Sequence, residues 1–140
     1  DLEKFNDHLQ ARIAQIREAE QRSVEFATDD AELLVVGYGT AGRIAYTAVE
    51  NCRARGYKVG LFRPQSLWPF PEKRLAELGE QVQNCLVVEM NAGQMVEDVR
   101  LAVNGRIPVA FYGRTGGMVP MPDEIETAIE EQFTRVAERV

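Results

Sequence analysis

The sequence predicts an α/β protein, in which helices cover both faces of a parallel sheet in a three-layer α/β/α sandwich. Apolar runs of strand length alternate with amphipathic segments of helix length along the chain. Residues 33–36 and 85–88 are apolar at every position, which is typical of parallel strands buried on both faces. With 140 residues, the chain fits a single domain of ordinary size.

The first segment of the chain predicts an amphipathic helix of about 20 residues. Its apolar residues recur every three or four positions and form one narrow stripe: Leu2, Phe5, Leu9, Ile13 and Ile16. The stripe either packs on the domain's own sheet or belongs to a connector that meets a neighbouring domain. We therefore divide the chain into a connector helix at residues 1–22 and an α/β domain at residues 23–140.

Residues 23–27 alternate between polar and apolar side chains, which predicts an edge strand with one face in solvent. Two further strands with a helix between them are expected after it. Residues 33–36 form the central strand, and Thr40 is expected to cap the helix that follows it. Gly56 ends that helix, and residues 58–62 form the next strand.

The second half of the chain begins with a loop that contains three prolines, at positions 64, 69 and 71, and Pro71 opens a short helix. Strands are predicted at residues 85–89 and 107–112, with a helix at 94–103 between them. Because Pro108 lacks an N–H group, the last strand is expected at the margin of the sheet. A closing helix begins at Asp123, and its apolar positions continue to Val140.

Composition excludes several classes of function. The net charge of −6 argues against a nucleic-acid or anionic-membrane partner held by bulk charge, and no apolar run is long enough to span a membrane. Cys52 and Cys85 are isolated, which predicts buried thiols in a reducing cytoplasm and no metal site. His8 is the only histidine and has no nucleophile at a recognisable spacing, so no catalytic residues are predicted.

A candidate site is expected where the carboxyl ends of the parallel strands meet. The four segments that follow the strands contribute Gly37, Gly39 and Thr40, then Arg63, then Glu89, and finally Arg114. Arginines and a glycine-rich turn at a helix N-terminus favour an anion. Alternatively, Arg63 and Arg114 pair with Glu89 or with carboxylates of another subunit.

Gly37, Gly39 and Gly42 also match the dinucleotide fingerprint between a strand and a helix. Arg63 stands at the end of the next strand, where it suits a 2′-phosphate and hence NADP. A free-standing NADP-binding Rossmann module is therefore one alternative. The other interpretation of the glycines is close packing between the helix and the sheet.

The proline-rich loop carries Trp68 and Phe70. If exposed, these aromatic side chains are anchors for another protein, since such residues dominate contact energies at interfaces. A protein–protein module unrelated to any enzyme is thus a second alternative, and a loop packed on itself is a third.

Three segments carry a resemblance to a known family. They are LFRPQSLWPFP at residues 61–71, VVEMNAGQM with VEDVR at 87–100, and GRTGG at 113–117. They resemble the α subunit of thiamine-diphosphate-dependent 2-oxoacid:ferredoxin oxidoreductases, and the branched-chain 2-oxoisovalerate type is nearest. The resemblance runs over nearly the whole chain and is strongest at residues 33–122.

The resemblance implies a C-terminal domain similar to that of transketolase, with a five-stranded sheet whose first strand is antiparallel at the edge. It implies a whole enzyme that decarboxylates a 2-oxoacid, forms an acyl-CoA and reduces ferredoxin. Thiamine diphosphate, magnesium and iron–sulfur clusters are then bound elsewhere, because two lone cysteines cannot hold a cluster that needs four. This domain is expected to serve subunit assembly, and also the substrate or coenzyme A path. The candidate rim and interface residues are Gly37, Gly39, Thr40, Arg63, Trp68, Phe70, Glu89, Asn91, Gln94 and Arg114.

Overall fold

A computed structural model describes residues 1–139 as one sheet with helices on both faces. The helices are α1 (Leu2–Ala19), α2 (Gly39–Ala54), α3 (Glu72–Gly79), α4 (Met95–Val103) and α5 (Pro122–Glu138). The strands are β1 (Ser23–Phe26), β2 (Leu33–Gly37), β3 (Val59–Pro64), β4 (Asn84–Glu89) and β5 (Val109–Gly113). The expectation that Val140 continues the closing helix lies outside the described residues.

The five strands form a sheet in the order β1-β3-β2-β4-β5. Strand β1 pairs with β3 in the antiparallel direction, and the other three pairings are parallel. The predicted fold class is confirmed, including the antiparallel first strand at one edge. Strand β5 forms the other edge, as Pro108 predicts.

The alternation of side chains along the strands divides the core into two layers. One layer lies under α3 and α4 and contains Leu34, Val36, Phe62 and Val87. The other lies under α2 and α5 and contains Leu33, Val35, Leu61 and Leu86. Because β2 and β4 supply both layers, every residue of these two strands is buried.

Helix α1 does not pack on the sheet, so the expectation that its stripe covers this domain is wrong. Against the rest of the described chain none of its 18 residues is buried, and Leu2 and Phe5 are 74% and 63% exposed. Its attachments to α3 are polar: Arg17 binds Glu72 at 3.2 Å, and Glu18 lies 3.5 Å from Lys73.

An amphipathic helix normally packs through its apolar face, but α1 meets the domain through its polar face. Ala14, Arg17, Glu18 and Gln21 line a groove with α3 and α4. At 100° per residue, the apolar stripe lies roughly 130° around the helix from that polar face. The helix therefore presents its polar side to α3 and α4 and its apolar side to solvent.

Candidate functional site

The chain order of the strands creates a crevice between β2 and β4. From β2 the chain crosses to β3 on one side, and from β3 it returns to β4 on the other. Ligands of open α/β sheets bind at such a switch point, outside the carboxyl ends of the strands. The structure has a cavity of about 550 Å³ there, lined by residues 38–41 after β2, residues 88–91 at the end of β4, and Leu67, Gln94, Met95 and Asp98.

On one side of the cavity, α2 begins immediately after β2. Gly39 is its first residue and has a φ of 58°, which a residue with a Cβ adopts only with strain. Tyr38 is the N-cap, and none of the side chains described at this end of the helix caps it. The expectation that Thr40 caps α2 is therefore wrong, because Thr40 already lies inside the helix.

The two remaining glycines of the fingerprint are explained by packing. A Cβ on Gly42 would lie 2.8 Å from the carbonyl oxygen of Gly37, and one on Gly37 would lie 3.0 Å from the Cα of Gly42. The helix therefore sits so close to the strand that neither position has room for a side chain. This contact accounts for the spacing of Gly37 and Gly42 without a dinucleotide.

On the other side of the cavity, Glu89 caps α4 with its carboxylate. Its oxygens accept hydrogen bonds from the backbone N–H groups of Met95 at 2.7 Å, Val96 at 3.0 Å and Gln94 at 3.1 Å. The side chain is buried, and its negative charge faces the positive end of the helix dipole. Glu89 is therefore part of the wall of the cavity and does not pair with Arg63 or Arg114.

Asn91 and Gln94 shape the turn between β4 and α4. The Oδ1 of Asn91 accepts a hydrogen bond from the N–H of Gly93 at 2.7 Å, and Gln94 is the N-cap of α4. Asp98, one turn further on, also lines the cavity. Burial, followed by the charge of Glu89, raises the pKa of the Asp98 carboxyl. The sequence gives no sign of Asp98 as a site residue, because it lies within α4 and not in a loop after a strand.

Arg63 and Arg114 lie at the carboxyl edge but do not line the cavity. The side chain of Arg63 runs over α2, since its Nε would be 3.0 Å from a Cβ on Gly42. Among residues 1–139 it forms no ion pair. Arg114 binds Glu124 at 2.7 Å, so the alternative in which it pairs with Glu89 is wrong.

Glu124 was missed because it falls in the first turn of α5, where an acidic residue is common. It accepts hydrogen bonds from the Tyr112 hydroxyl and from Arg114, each at 2.7 Å. These two donors, in that order, lower the pKa of the Glu124 carboxyl. Burial and then the bond to Glu124 raise the pKa of the Tyr112 hydroxyl. The three side chains hold the loop after β5 against the start of α5.

Of the two aromatic residues in the proline-rich loop, only one is available to a partner. Trp68 is 64% exposed, whereas Phe70 is 8% exposed and belongs to the core under α3 and α4. Phe70 is therefore buried and is not an anchor for another protein.

Several large apolar side chains are exposed in the loops at the carboxyl edge of the sheet, and three of them, Tyr38, Leu67 and Met90, line the cavity. All of them lie in loops after strands β2, β3, β4 or β5, and each is at least 38% exposed: Tyr38, Leu67, Trp68, Met90, Met118, Val119 and Met121. We call these seven residues the apolar rim. Such a concentration of exposed apolar surface is typical of a site that another protein covers.

In the described part of the chain, no three His, Cys, Asp or Glu side chains are grouped to hold a metal ion. No helix among residues 1–139 is long and apolar enough to cross a membrane. Every buried side-chain nitrogen or oxygen among residues 1–139 has a hydrogen-bond partner.

Comparison with solved structures places this architecture in a fold shared by two kinds of enzyme. A 2-oxoglutarate:ferredoxin oxidoreductase from Magnetococcus marinus, solved with 2-oxoglutarate, coenzyme A and succinyl-CoA bound, superimposes with a TM-score of 0.70 at 20% identity. The match covers 84% of this chain and 21% of that one. A split-gene transketolase, an inactive β4 tetramer, gives a TM-score of 0.68 at 17% identity over 81% of this chain and 41% of that one. The likeness to the transketolase C-terminal domain is thereby confirmed at the level of fold.

Sequence comparison identifies the protein family to which the chain belongs. Residues 31–125 match the family model of the pyruvate:ferredoxin oxidoreductase core domain II, and the chain belongs to that family. A ketoisovalerate oxidoreductase subunit VorB from Methanothermobacter thermautotrophicus is 44% identical over 90% of this chain and 36% of its own length. A 2-oxoglutarate synthase subunit KorA from Methanothermobacter marburgensis is 40% identical over 70% of this chain and 26% of its own length. The chain thus spans about a third of the curated relatives it matches.

Proposed function

We propose that this chain is a domain of the α subunit of a thiamine-diphosphate-dependent 2-oxoacid:ferredoxin oxidoreductase, of the branched-chain 2-oxoisovalerate type. Family membership supports the enzyme class, and the higher identity to ketoisovalerate oxidoreductase subunits supports the branched-chain type. The whole enzyme would decarboxylate a 2-oxoacid, form an acyl-CoA and reduce ferredoxin in the cytoplasm. Thiamine diphosphate, magnesium and the iron–sulfur clusters would be held by other domains and subunits.

Within that enzyme we assign this domain to assembly. The observation that carries the assignment is the orientation of α1, whose apolar stripe faces away from its own sheet. An amphipathic helix gains most of its stability from burying the apolar face, so a stripe in solvent implies a cover outside this chain. We assign residues 1–22 to a connector on this ground.

The apolar rim is the second surface that we assign to assembly, with Trp68 as its aromatic anchor. A buried tryptophan at an interface is commonly worth 2 kcal/mol or more (roughly) when it is truncated. Because Tyr38, Leu67 and Met90 of the rim line the cavity at the switch point, a subunit that docks there would wall the path of the substrate or coenzyme A. Arg63, which forms no ion pair among the described residues, lies at the same edge and would meet a carboxylate of that subunit.

The experiment is capture of the tagged chain from a 2-oxoacid-fermenting anaerobe under gentle salt, with mass spectrometry of what is retained. We expect the thiamine-binding and ferredoxin-like subunits. Replacement of Phe5 and Leu9 by serine should reduce their recovery at least tenfold (roughly), as should Trp68→Ala. Val24→Thr changes an apolar residue on β1 that is about as exposed as Leu9, and it serves as the control.

Two results would overturn the assignment. One is recovery of the subunits that is equally strong with the serine variants and with Trp68→Ala. The other is binding of NADPH to the chain without any oxidoreductase subunit, which the Rossmann alternative requires. That alternative is not favoured, since the family match and the contact between Gly37 and Gly42 explain the same residues.

A further inference from the structure

Strand β5 ends the sheet as an edge without the usual protection. It pairs with β4 only, and all five of its residues, Val109–Gly113, are half-buried. The strand contains no charged side chain. Natural edge strands are normally blunted by charges, bulges or prolines, because an open edge is a template for another strand.

The hydrogen bonds to β4 establish which backbone groups point outward. The N–H of Cys85 donates to the carbonyl of Pro108 at 3.0 Å, and the N–H of Arg114 donates to the carbonyl of Glu89 at 3.2 Å. In a parallel ladder the direction alternates from residue to residue. Residues 108, 110, 112 and 114 therefore face β4, and Val109, Phe111 and Gly113 turn their N–H and C=O groups to the open side.

Two local features keep that open side clear. The N–H that Pro108 lacks would face β4, so the outward row of donors is complete. The Phe111 ring folds back over the sheet, because a Cβ built on Gly113 or on Gly93 would touch it. No loop backbone group among residues 1–139 forms a hydrogen bond with the backbone of Phe111.

We propose that β5 pairs with β5 of a second copy of this chain, so that two sheets join across a two-fold axis. An antiparallel pairing centred on Phe111 places Val109 opposite Gly113 of the second copy. The residues that would exchange hydrogen bonds in that register, Val109, Phe111 and Gly113, are those that point their backbone groups outward. The strand is therefore complementary to itself, as a two-fold interface requires.

Helix α4 provides a charge pattern that fits the same axis. Asp98 lines the groove on the α1 side of the helix, and Arg100 lies about 160° around the helix from it, on the flank nearest to β5. Glu97, one turn before Arg100, lies beside it on the solvent-facing side of the helix. Both are exposed, and neither forms an ion pair within residues 1–139. A two-fold axis through β5 runs the two α4 helices antiparallel, which sets Glu97 of each copy near Arg100 of the other.

The pairing does not depend on the proposed function, because it uses neither α1 nor the apolar rim. The test is amide hydrogen exchange by NMR on the full chain, at about 20 µM and about 1 mM, alongside sedimentation. We expect a dimer whose Val109, Phe111 and Gly113 amides exchange at least tenfold (roughly) more slowly at the higher concentration. The Ala110 and Tyr112 amides, bonded to β4, should be protected at both concentrations and serve as the internal control.

Two variants make the test specific. Val109→Pro removes an outward N–H without touching a bond to β4, and it should weaken dimerisation at least tenfold (roughly). Arg100→Glu should also weaken it, and the double variant with Glu97→Arg should restore it. A chain that stays monomeric at about 1 mM would overturn the proposal. So would a dimer that Phe5→Ser abolishes and the α4 variants leave intact, since α1 would then be the contact.

Discussion

Glu89 shows how one side chain fixes the geometry of the cavity. Its carboxylate bonds three backbone N–H groups of α4 from within the core, so its loss removes a cap and leaves buried donors unpaired. We expect Glu89→Gln to lower the free energy of unfolding by about 1–3 kcal/mol in urea titrations. Glu50→Gln on the exposed side of α2 should change it by less than about 0.5 kcal/mol. Equal losses of stability for Glu89→Gln and Glu50→Gln would mean that the cap does not stabilise the fold.

Gly42 is the residue that separates close packing from nucleotide binding. Alanine there gains about 1 kcal/mol of helix propensity but forces its Cβ to within 2.8 Å of the Gly37 carbonyl oxygen. We expect a net loss of about 1–3 kcal/mol in thermal or urea unfolding. Gly79→Ala in α3 meets only the Val103 side chain, at 3.3 Å, and should be nearly neutral. A stable Gly42→Ala variant would contradict the packing explanation.

The two cysteines should be inert while the chain is folded. Burial raises the pKa of Cys52 to about 11 and that of Cys85 to about 12, so little thiolate exists near pH 8. We expect alkylation by iodoacetamide to follow the rate of unfolding, and to become fast only in urea. Rapid labelling of the native chain would show that a thiol is accessible.

Glu25 contributes to the pH dependence of the free energy of unfolding. Arg74 bonds its carboxylate at 2.7 Å and lowers the pKa of Glu25, so the ionised form is favoured in the folded chain. A lowered pKa stabilises the fold at pH values above the unfolded value of about 4.3, and this gain is lost as pH falls through the folded value. We expect Arg74→Gln to flatten the fall in stability below pH 5 (about), measured by urea midpoints. Arg17→Gln, in an exposed pair with Glu72, should leave the slope unchanged.

At the scale of elements, α1 and the core strands should respond oppositely to the same kind of change. Leu9→Ala on the stripe should leave the free energy of unfolding within about 0.5 kcal/mol of the parent. Leu75→Ala, fully buried in α3, should cost about 2–5 kcal/mol. Circular dichroism during urea unfolding measures both. A large cost for Leu9→Ala would mean that the stripe is buried against this domain after all.

The elements also show what sequence reasoning can supply. Strands β2 and β4 were predictable because burial on both faces demands continuous apolar runs. The stripe of α1 was equally visible, but periodicity reports only that a helix has an apolar face. It does not report which surface that face meets, and the polar groove with α3 depends on the position of Glu72 and Lys73 in the fold.

At the scale of the molecule, the site was predictable in location and less so in detail. A parallel sheet brings its carboxyl ends to one edge, so residues 37–40, 63, 89–94 and 114 were certain to gather there. Their partners were not predictable, because Glu89 bonds backbone N–H groups and Arg114 bonds a residue on α5. Backbone donors carry no signature in the sequence, and any of several acids suits an arginine.

The placement of the α1 contacts has a mechanical consequence. The ion pairs and hydrogen bonds that join α1 to α3 come from Arg17, Glu18 and Gln21, at or just beyond the helix's last turn. A helix that is attached to a domain only near its C-terminal end can pivot about that end. Whatever binds the free arm of α1 can therefore swing relative to the sheet, and the motion is absorbed by a few polar contacts while the packed core keeps its shape.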